Sequence, residues 1–185
     1  MPAFYLTLLA VLLSGIGARD QGVVAMLSLR QQRRPAILVM ALATSLACAA
    51  LAAFAAHTLL ESLPPPARMI FAGIALGLAG AESLLLGPVR AWKEPTHSLG
   101  ALGLVLLAHQ IGDAARFVIF GLGVGMAAPL VSGLAGFLGG TVLLGFAWAF
   151  PQEASRPRWR LVRRGAGGAL LLAALYLLIV QMRIL

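Results

Sequence analysis

Six long apolar segments, separated by short stretches rich in proline and arginine, constrain the fold of this chain more than any other feature. The segments cover residues 3–29, 35–62, 67–87, 99–125, 128–150 and 166–185. An uninterrupted apolar run of about 18 residues or more is typical of a transmembrane helix. The sequence therefore predicts an all-α, polytopic membrane protein with six transmembrane helices that end where proline or charge interrupts them.

The composition excludes several other classes of protein. The chain is 61% hydrophobic and only 11% charged, which rules out a soluble domain. Its net charge of +8 is explained by basic loops of a membrane protein, so we predict no nucleic-acid partner. The single Cys48 cannot form an internal disulfide or a cysteine-based metal cluster. No basic residue precedes the first apolar stretch, so we expect an uncleaved helix there rather than a signal peptide.

The distribution of basic residues predicts the orientation in the membrane. The loops after the first, third and fifth segments contain Arg30, Arg33, Arg34, Arg90, Lys93, Arg156, Arg158, Arg160, Arg163 and Arg164. The opposite side has only Arg68 and Arg183. Because lysine and arginine accumulate in cytoplasmic loops, we expect a plasma membrane protein of bacterial type with both termini on the non-cytoplasmic side. The cluster Arg156, Arg158, Arg160, Arg163 and Arg164 either binds anionic lipid or only sets this topology.

A weak internal repeat divides the chain into residues 1–97 and 98–185. Residues 6–35 align with residues 101–130 at an offset of 95, which places Ile16 over Ile111 and Gly17 over Gly112. Each half contains three predicted helices, so the second half must enter the membrane in the opposite direction. Inverted repeats of this kind are common in transporters, whose substrate site lies at the repeat interface near the midplane.

Two polar stretches occupy matching places in these halves. In "HQIGDAARF", residues 109–117, helical spacing places His109, Asp113 and Arg116 on one face, with Gln110 beside it. In "SGIGARDQ", residues 14–21, a similar stripe consists of Ser14, Gly17 and Gln21, flanked by Arg19 and Asp20. The glycines Gly15, Gly17 and Gly112 allow close helix packing or a helix break.

Ionised side chains at this depth must face inward and pair, because each costs about 2.5–3.5 kcal/mol on insertion scales. We expect ion pairs between the repeats, Arg19 with Asp113 and Arg116 with Asp20. The competing arrangement is a pair within one helix, between Asp113 and Arg116. In either case two acids face two arginines and the local charge is close to zero.

At these residues the chain resembles the Gdt/TMEM family of manganese- and calcium-transporting membrane proteins, six-helix cation/proton exchangers related to the LysE superfamily. Their motif is Glu-x-Gly-Asp-Lys/Arg-Thr/Ser, once in helix 1 and once in helix 4. The resemblance includes the helix count, the "RQQRRP" loop and the "LPPPARMIFAGIALGLAG" entry into helix 3. In the first copy Gly15 and Ala18 replace the two acids, Gly17 is kept, and Arg19 stands at the basic position. Asp20 follows it and substitutes for the lost carboxylate.

The second copy keeps Gly112 and Asp113, while Gln110 replaces its glutamate. By this resemblance, a transported Mn²⁺ or Ca²⁺ would bind to Asp113, Gln110 and Asp20, with proton exchange at the acids. The resemblance and the polar pattern together predict a group that lines the pathway or compensates charge: Arg19, Gln21, His109, Arg116 and Glu82. Glu82 either completes the site or reaches the membrane interface, and His109 either relays protons or forms a hydrogen bond.

The leading prediction is therefore a secondary transporter of a small ion, most simply a divalent cation exchanged for protons by alternating access. One alternative is a non-transporting membrane scaffold or subunit whose site is closed by Arg–Asp pairs. Another is an exporter of an amino acid or anion, which the arginines would suit. No nucleophile–base arrangement or phosphate-binding loop is present, so we expect neither an enzyme nor a bound cofactor. The lipid bilayer is the expected partner, and homo-oligomerisation is left open.

Overall fold

A computed structural model describes residues 1–86 and 98–182, and every regular element within them is a helix. In chain order the helices are α1 (Pro2–Gly15), α2 (Arg19–Arg30), α3 (Pro35–Ser62), α4 (Pro65–Leu85), α5 (Leu99–Ile111), α6 (Ala114–Gly125), α7 (Pro129–Ala149), α8 (Pro151–Ala154) and α9 (Arg158–Gln181). Proline occupies the first turn of α1, α3, α4, α7 and α8, where its missing N–H needs no partner. The predicted all-α class is thus confirmed for the described residues.

Four of these helices, α3, α4, α7 and α9, are each long and apolar enough to cross a membrane. Two further pairs reach that length only together: α1 with α2, bent by 60°, and α5 with α6, bent by 51°. The described residues therefore contain four candidate spans, or six if each bent pair is one span. Large apolar side chains such as Val39, Phe54 and Leu130 are exposed on their outer faces, which is typical of helices surrounded by lipid.

The predicted helix boundaries are correct for α3 and within two residues for α4 and α7. The prediction of unbroken helices over 3–29 and 99–125 is wrong, because each segment breaks near its middle, at residues 16–18 and 112–113. Gly17 supplies the first break with a left-handed backbone (φ 72°), a conformation that glycine adopts at little cost. At the second break Asp113 has an extended backbone and begins α6 as its N-cap.

The last helix begins at Arg158 rather than at residue 166. The sequence explains this extension, because neither proline nor glycine occurs between Pro157 and Gly165. The segment that we predicted as a loop therefore contributes more than two helical turns to α9. Three basic residues used in the topology prediction, Arg90, Lys93 and Arg183, lie outside the described residues.

Two buried apolar clusters lie on opposite sides of the breaks. The first includes Val11 of α1, before the first break, and Val118 of α6, after the second. The other includes Val23 of α2, after the first break, and Leu106 of α5, before the second. The polar residues of the two breaks therefore form a layer between two apolar clusters.

Helices α4 and α9 cross at very short distance. A Cβ atom placed on Gly80 would lie 2.7 Å from the carbonyl oxygen of Gly167, and one on Gly167 would lie 2.8 Å from the Ser83 Cβ. Small residues at such a crossing let two helix backbones approach. This crossing sets the positions of Glu82, which follows Gly80 on α4, and of Arg163, which lies one turn before Gly167 on α9.

Candidate functional site

The two helix breaks bring most of the predicted polar residues into one buried layer. Asp20 lies in the first turn of α2, and Asp113 is the N-cap of α6. Gln21, Gln110 and Arg116 are buried beside them. The sequence separates these residues by about half of the chain, and the fold brings them together.

Gln21 completes the hydrogen bonding of the first break. Its Nε2 donates to the carbonyl oxygen of Gly15 at 2.5 Å, and its Oε1 accepts a bond from the backbone N–H of Gly17 at 3.0 Å. The backbone N–H of Gln21 donates in turn to Asp20 Oδ1 at 2.7 Å. Backbone groups freed by a break inside a membrane span need partners of this kind. We therefore assign Gln21 a structural role at the break.

A side-chain hydrogen bond joins the two breaks directly. Gln110 Nε2, near the end of α5, donates to Asp20 Oδ2 at 3.2 Å. Gln110 is completely buried, and its Oε1 has no hydrogen-bond partner among the described residues. Asp20 and Gln110, two of the three residues predicted to bind a cation, are thus in contact, and the amide oxygen of Gln110 is free to accept a ligand.

The second break is held by two carboxylates at the N-terminus of α6. Asp113 Oδ2 accepts a hydrogen bond from the Ala115 N–H at 3.4 Å, and Glu82 Oε2 accepts one from the Ala114 N–H at 3.3 Å. Free N–H groups and the helix dipole both favour negative charge at such an end. Glu82 therefore lies inside the site and does not reach the membrane interface.

Arg163 of α9 bridges these two carboxylates. Its Nη2 donates to Asp113 Oδ1 at 3.1 Å and also contacts Glu82 Oε2 in a short ion pair. Its Nη1 donates to the carbonyl oxygen of Gly17 at 3.3 Å. Arg163 is 3% exposed, so the whole guanidinium is inside the protein. It contacts both breaks at once.

The other two arginines have different partners from those predicted. Arg19 Nη2 lies 3.5 Å from Glu82 Oε1, and Arg116 Nη2 donates to Ser45 Oγ at 3.0 Å. In the part of the chain that the structure describes, Arg116 forms no ion pair and its Nε has no partner. The expected pairs Arg19–Asp113 and Arg116–Asp20 are wrong, and so is the alternative pair Asp113–Arg116.

The errors about the partners of Asp113 and Arg19 have one physical cause. Arg163 is expected in a loop from the sequence, whereas α9 begins at Arg158 and packs along α4. Asp113 and Glu82 consequently meet Arg163, and Arg19 meets Glu82. The absence of a helix breaker after Pro157 is the signal that could have placed Arg163 on the helix.

Of the remaining predicted residues, His109 and Gly15 lie at the polar layer, and Gly112 has no special role there. His109 is half-buried, within electrostatic reach of Arg19 and Asp20. Gly15 packs against α7, where an added Cβ would lie 2.8 Å from Leu143 Cδ1. Gly112 has open space around its Cα and does not take a left-handed backbone, so it neither provides a close contact nor requires glycine for its conformation.

A cavity of about 10 Å³ lies between the breaks, with a lining that includes Gly15, Ala18, Asp20, Gln21, Asp113 and Arg116. This volume holds about one water-sized particle. A second cavity of about 280 Å³ reaches Gly17 and Ala18 from the side of α8 and α9. A third, of about 460 Å³, shares Leu29 and Arg156 with it and is also lined by Gln32 and Arg33 of the loop after α2.

Charges in the layer balance, with three acids (Asp20, Glu82 and Asp113) and three arginines (Arg19, Arg116 and Arg163). The starts of α2 and α6 add partial positive charge. Within residues 1–86 and 98–182, no three His, Cys, Asp or Glu side chains form a group that could hold a metal ion. A cation entering this state of the site would have to compete with arginine.

The arginine cluster proposed to bind anionic lipid needs one correction. Arg156, Arg158, Arg160 and Arg164 are exposed, and the first two pair with Glu153. Arg163 is buried in the site and cannot reach lipid headgroups. The predicted lipid surface is thereby reduced to four arginines.

No protein-family model, no curated protein and no solved structure matches this chain.

Proposed function

We propose that this protein is a secondary transporter that moves a small ion across a membrane through the layer between its two helix breaks. One observation carries the proposal: two bent helix pairs break at polar residues, and both breaks border the same small cavity. Irregular backbone at membrane depth is tolerated where it is buried in protein or lines a cavity, and broken helices of this kind form ion sites in transporters.

The packing supports an inverted repeat. Helices α3 and α4 pack with their counterparts α7 and α9, and the two broken pairs contact each other crosswise, α1 with α6 and α2 with α5. The last two contacts place the first half of one broken span beside the second half of the other. Six spans in two inverted groups of three would produce this pattern, with alternating access arising as one group rocks against the other. By the distribution of arginines, both termini lie outside the cytoplasm of a bacterial-type cell.

We further propose that the transported ion is a small cation, with Mn²⁺ and Ca²⁺ as the first candidates. Asp20, Asp113 and Gln110 offer carboxylate and amide oxygens, which divalent cations prefer as ligands. The unpartnered Oε1 of Gln110 supports this assignment, because a buried amide oxygen without a partner is costly unless a ligand uses it. Protons would move in exchange, on the same carboxylates.

The test is ion flux in proteoliposomes that contain the purified protein and an internal pH dye. A gradient of Mn²⁺ or Ca²⁺ is expected to drive proton movement in the opposite direction. Asp113→Asn is expected to abolish it. Glu61→Gln, which changes an exposed carboxylate near the end of α3, is the matched control and is expected to keep it. Folded, reconstituted protein that moves no protons with Mn²⁺, Ca²⁺ or Mg²⁺ would contradict the cation proposal.

A second function is favoured by Arg163 itself. Its guanidinium fills the space between Glu82 and Asp113, as expected of a non-transporting membrane scaffold whose former site is closed by ion pairs. In that case no ion gradient drives proton flux, and Asp113→Asn destabilises the fold without any other effect. The flux measurement and a melting curve of the same variant distinguish the two functions.

A further inference from the structure

Three oxygen atoms from three parts of the chain converge on the guanidinium of Arg163. They are Glu82 Oε2 on α4, Asp113 Oδ1 at the start of α6 and the carbonyl oxygen of Gly17 in the first break. We propose that Arg163 is a tethered cation that occupies a second cation position, which shares Asp113 with the position between Asp20 and Gln110, and that the transported divalent cation binds these three oxygens when the guanidinium withdraws. This inference rests on the proposed transport function and identifies the site and its internal competitor.

The burial of the two carboxylates shows why this position requires positive charge. The side chains of Glu82 and Asp113 are 5% and 7% exposed, and both accept bonds from the first turn of α6. Two buried carboxylates repel one another, and without a cation between them one would have to take up a proton. Either a guanidinium or a metal ion removes this repulsion.

The chemistry of the three oxygens suits a hard divalent cation. Carboxylate and backbone carbonyl oxygens are the ligands that Ca²⁺ and Mn²⁺ accept, and two negative charges balance a divalent ion. With the guanidinium bound, the same two carboxylates hold only one positive charge at this point, and Arg19 supplies a second, weaker contact at 3.5 Å. A divalent cation in place of the guanidinium would put two positive charges directly between the two carboxylates.

The guanidinium of Arg163 could move away from the two carboxylates toward a neighbouring cavity. Arg163 lies in the second turn of α9 and donates to the carbonyl oxygen of Gly17, and Gly17 also lines the cavity of about 280 Å³ together with Trp159 and Arg160. The Gly80–Gly167 crossing holds the next turn of α9 against α4. Rotation of the long Arg163 side chain would therefore open the site without separating the helices.

The three cavities adjoin one another along the route that the proposal requires for the ion. The cavity between the breaks and the cavity of about 280 Å³ share Ala18, and the latter shares Leu29 and Arg156 with the cavity of about 460 Å³. Their lining residues together reach from the loop after α2 to the first break. An ion that follows them arrives beside Gly17, whose carbonyl oxygen is one of the three proposed ligands.

The experiment measures thermal unfolding of the purified full-length protein in detergent, with MnCl₂, CaCl₂ or guanidinium chloride added at equal ionic strength. Arg163→Ala is expected to lower the melting temperature without ligand. Each of the three cations is expected to restore the melting temperature of this variant. The cation concentration for half of this effect is expected to be at least about tenfold below the lowest concentration that shifts the melting temperature of the wild type. Arg164→Ala removes an exposed arginine from the next position and is expected to behave as wild type.

Two double variants test whether stabilisation by Mn²⁺ and Ca²⁺ depends on the two carboxylates. Arg163→Ala combined with Glu82→Gln, or with Asp113→Asn, is expected to lose stabilisation by Mn²⁺ and Ca²⁺. If folded Arg163→Ala shows no stabilisation by either ion, or if stabilisation persists in both double variants, the proposal is overturned.

A second variant keeps the test decisive if Arg163→Ala does not fold. Arg163→Lys keeps the charge, but a single ammonium nitrogen cannot replace two guanidinium nitrogens, of which Nη2 contacts both carboxylates and Nη1 donates to the Gly17 carbonyl oxygen. Mn²⁺ is expected to stabilise it at a concentration at least about tenfold lower than for wild type. An unchanged response overturns the proposal. Ion binding without flux in proteoliposomes would instead refute only the transport function, so the two failures are distinguishable.

Discussion

Gln110 Nε2 donates a hydrogen bond to Asp20 Oδ2 at 3.2 Å, and this contact between residues 90 positions apart in the chain joins the two helix breaks. A replacement at position 110 therefore acts on both breaks. Gln110→Glu would place a new buried carboxylate against Asp20, where the amide now donates. Without a cation, we expect the free energy of unfolding to fall by more than about 3 kcal/mol.

Divalent cations should reverse this loss, because they neutralise the added charge. The measurement is a melting curve of Gln110→Glu with and without MnCl₂. Gln152→Glu, at an exposed position on α8, is the control and should show neither effect. Loss of stability that Mn²⁺ does not restore would argue against an ion between the two breaks.

The left-handed backbone of Gly17 makes this position intolerant of a side chain. Gly17→Ala keeps the nearest neighbours at 3.5 Å, so the main cost is conformational. We expect a loss of about 1–2 kcal/mol in unfolding free energy. Gly22→Ala, inside α2 with nothing within 4 Å of the added Cβ, should be neutral or stabilising by up to about 1 kcal/mol. Denaturant unfolding of the pair in detergent tests the difference in sign.

Glu82 holds two arginines and the start of α6, so its removal leaves buried charge uncompensated. Glu82→Gln is expected to lower the free energy of unfolding by about 3–5 kcal/mol. Glu61→Gln, whose carboxylate is 70% exposed and pairs with His57, should change it by less than about 0.5 kcal/mol. Equal melting temperatures for the two variants would show that the Arg163–Glu82 contact contributes nothing to stability.

Neighbouring glycines on α9 test the close crossing with α4. Gly167→Ala places a Cβ 2.8 Å from Ser83 Cβ and 3.0 Å from the Gly80 carbonyl oxygen, so the helices must separate. We expect a loss of about 1–3 kcal/mol. Gly168→Ala meets nothing within 4 Å and should be neutral or slightly stabilising. Similar stabilities for the two alanine variants would contradict the crossing.

The proposed orientation can be tested with a membrane-impermeant thiol reagent in intact cells. In a Cys48→Ala background, Ser62→Cys at the end of α3 is expected to react from outside. Ser155→Cys, after α8, is expected to react only once the membrane is permeabilised. Both serines are exposed, so burial does not limit labelling. The reverse pattern would place both termini in the cytoplasm.

The sequence by itself determined the features that depend on local interactions. The apolar runs predict the helices, and the start of α3 at Pro35 and the end at Ser62 follow from the proline and polar residues that bound this segment. The polar composition of the two stretches also predicts their burial and mutual proximity, because charged groups inside a membrane must face the protein interior. Asp20, Gln110 and Asp113 were identified in this way.

Only the tertiary structure decided which charges pair. Glu82 and Arg163 are 81 residues apart, and their contact depends on the distance at which α4 and α9 cross at Gly80 and Gly167. Several pairings of three acids with three arginines satisfy the same burial requirement, so residue types cannot choose among them. The packing of α4 against α9 determines the pairing, because it fixes which side chains come within hydrogen-bonding distance.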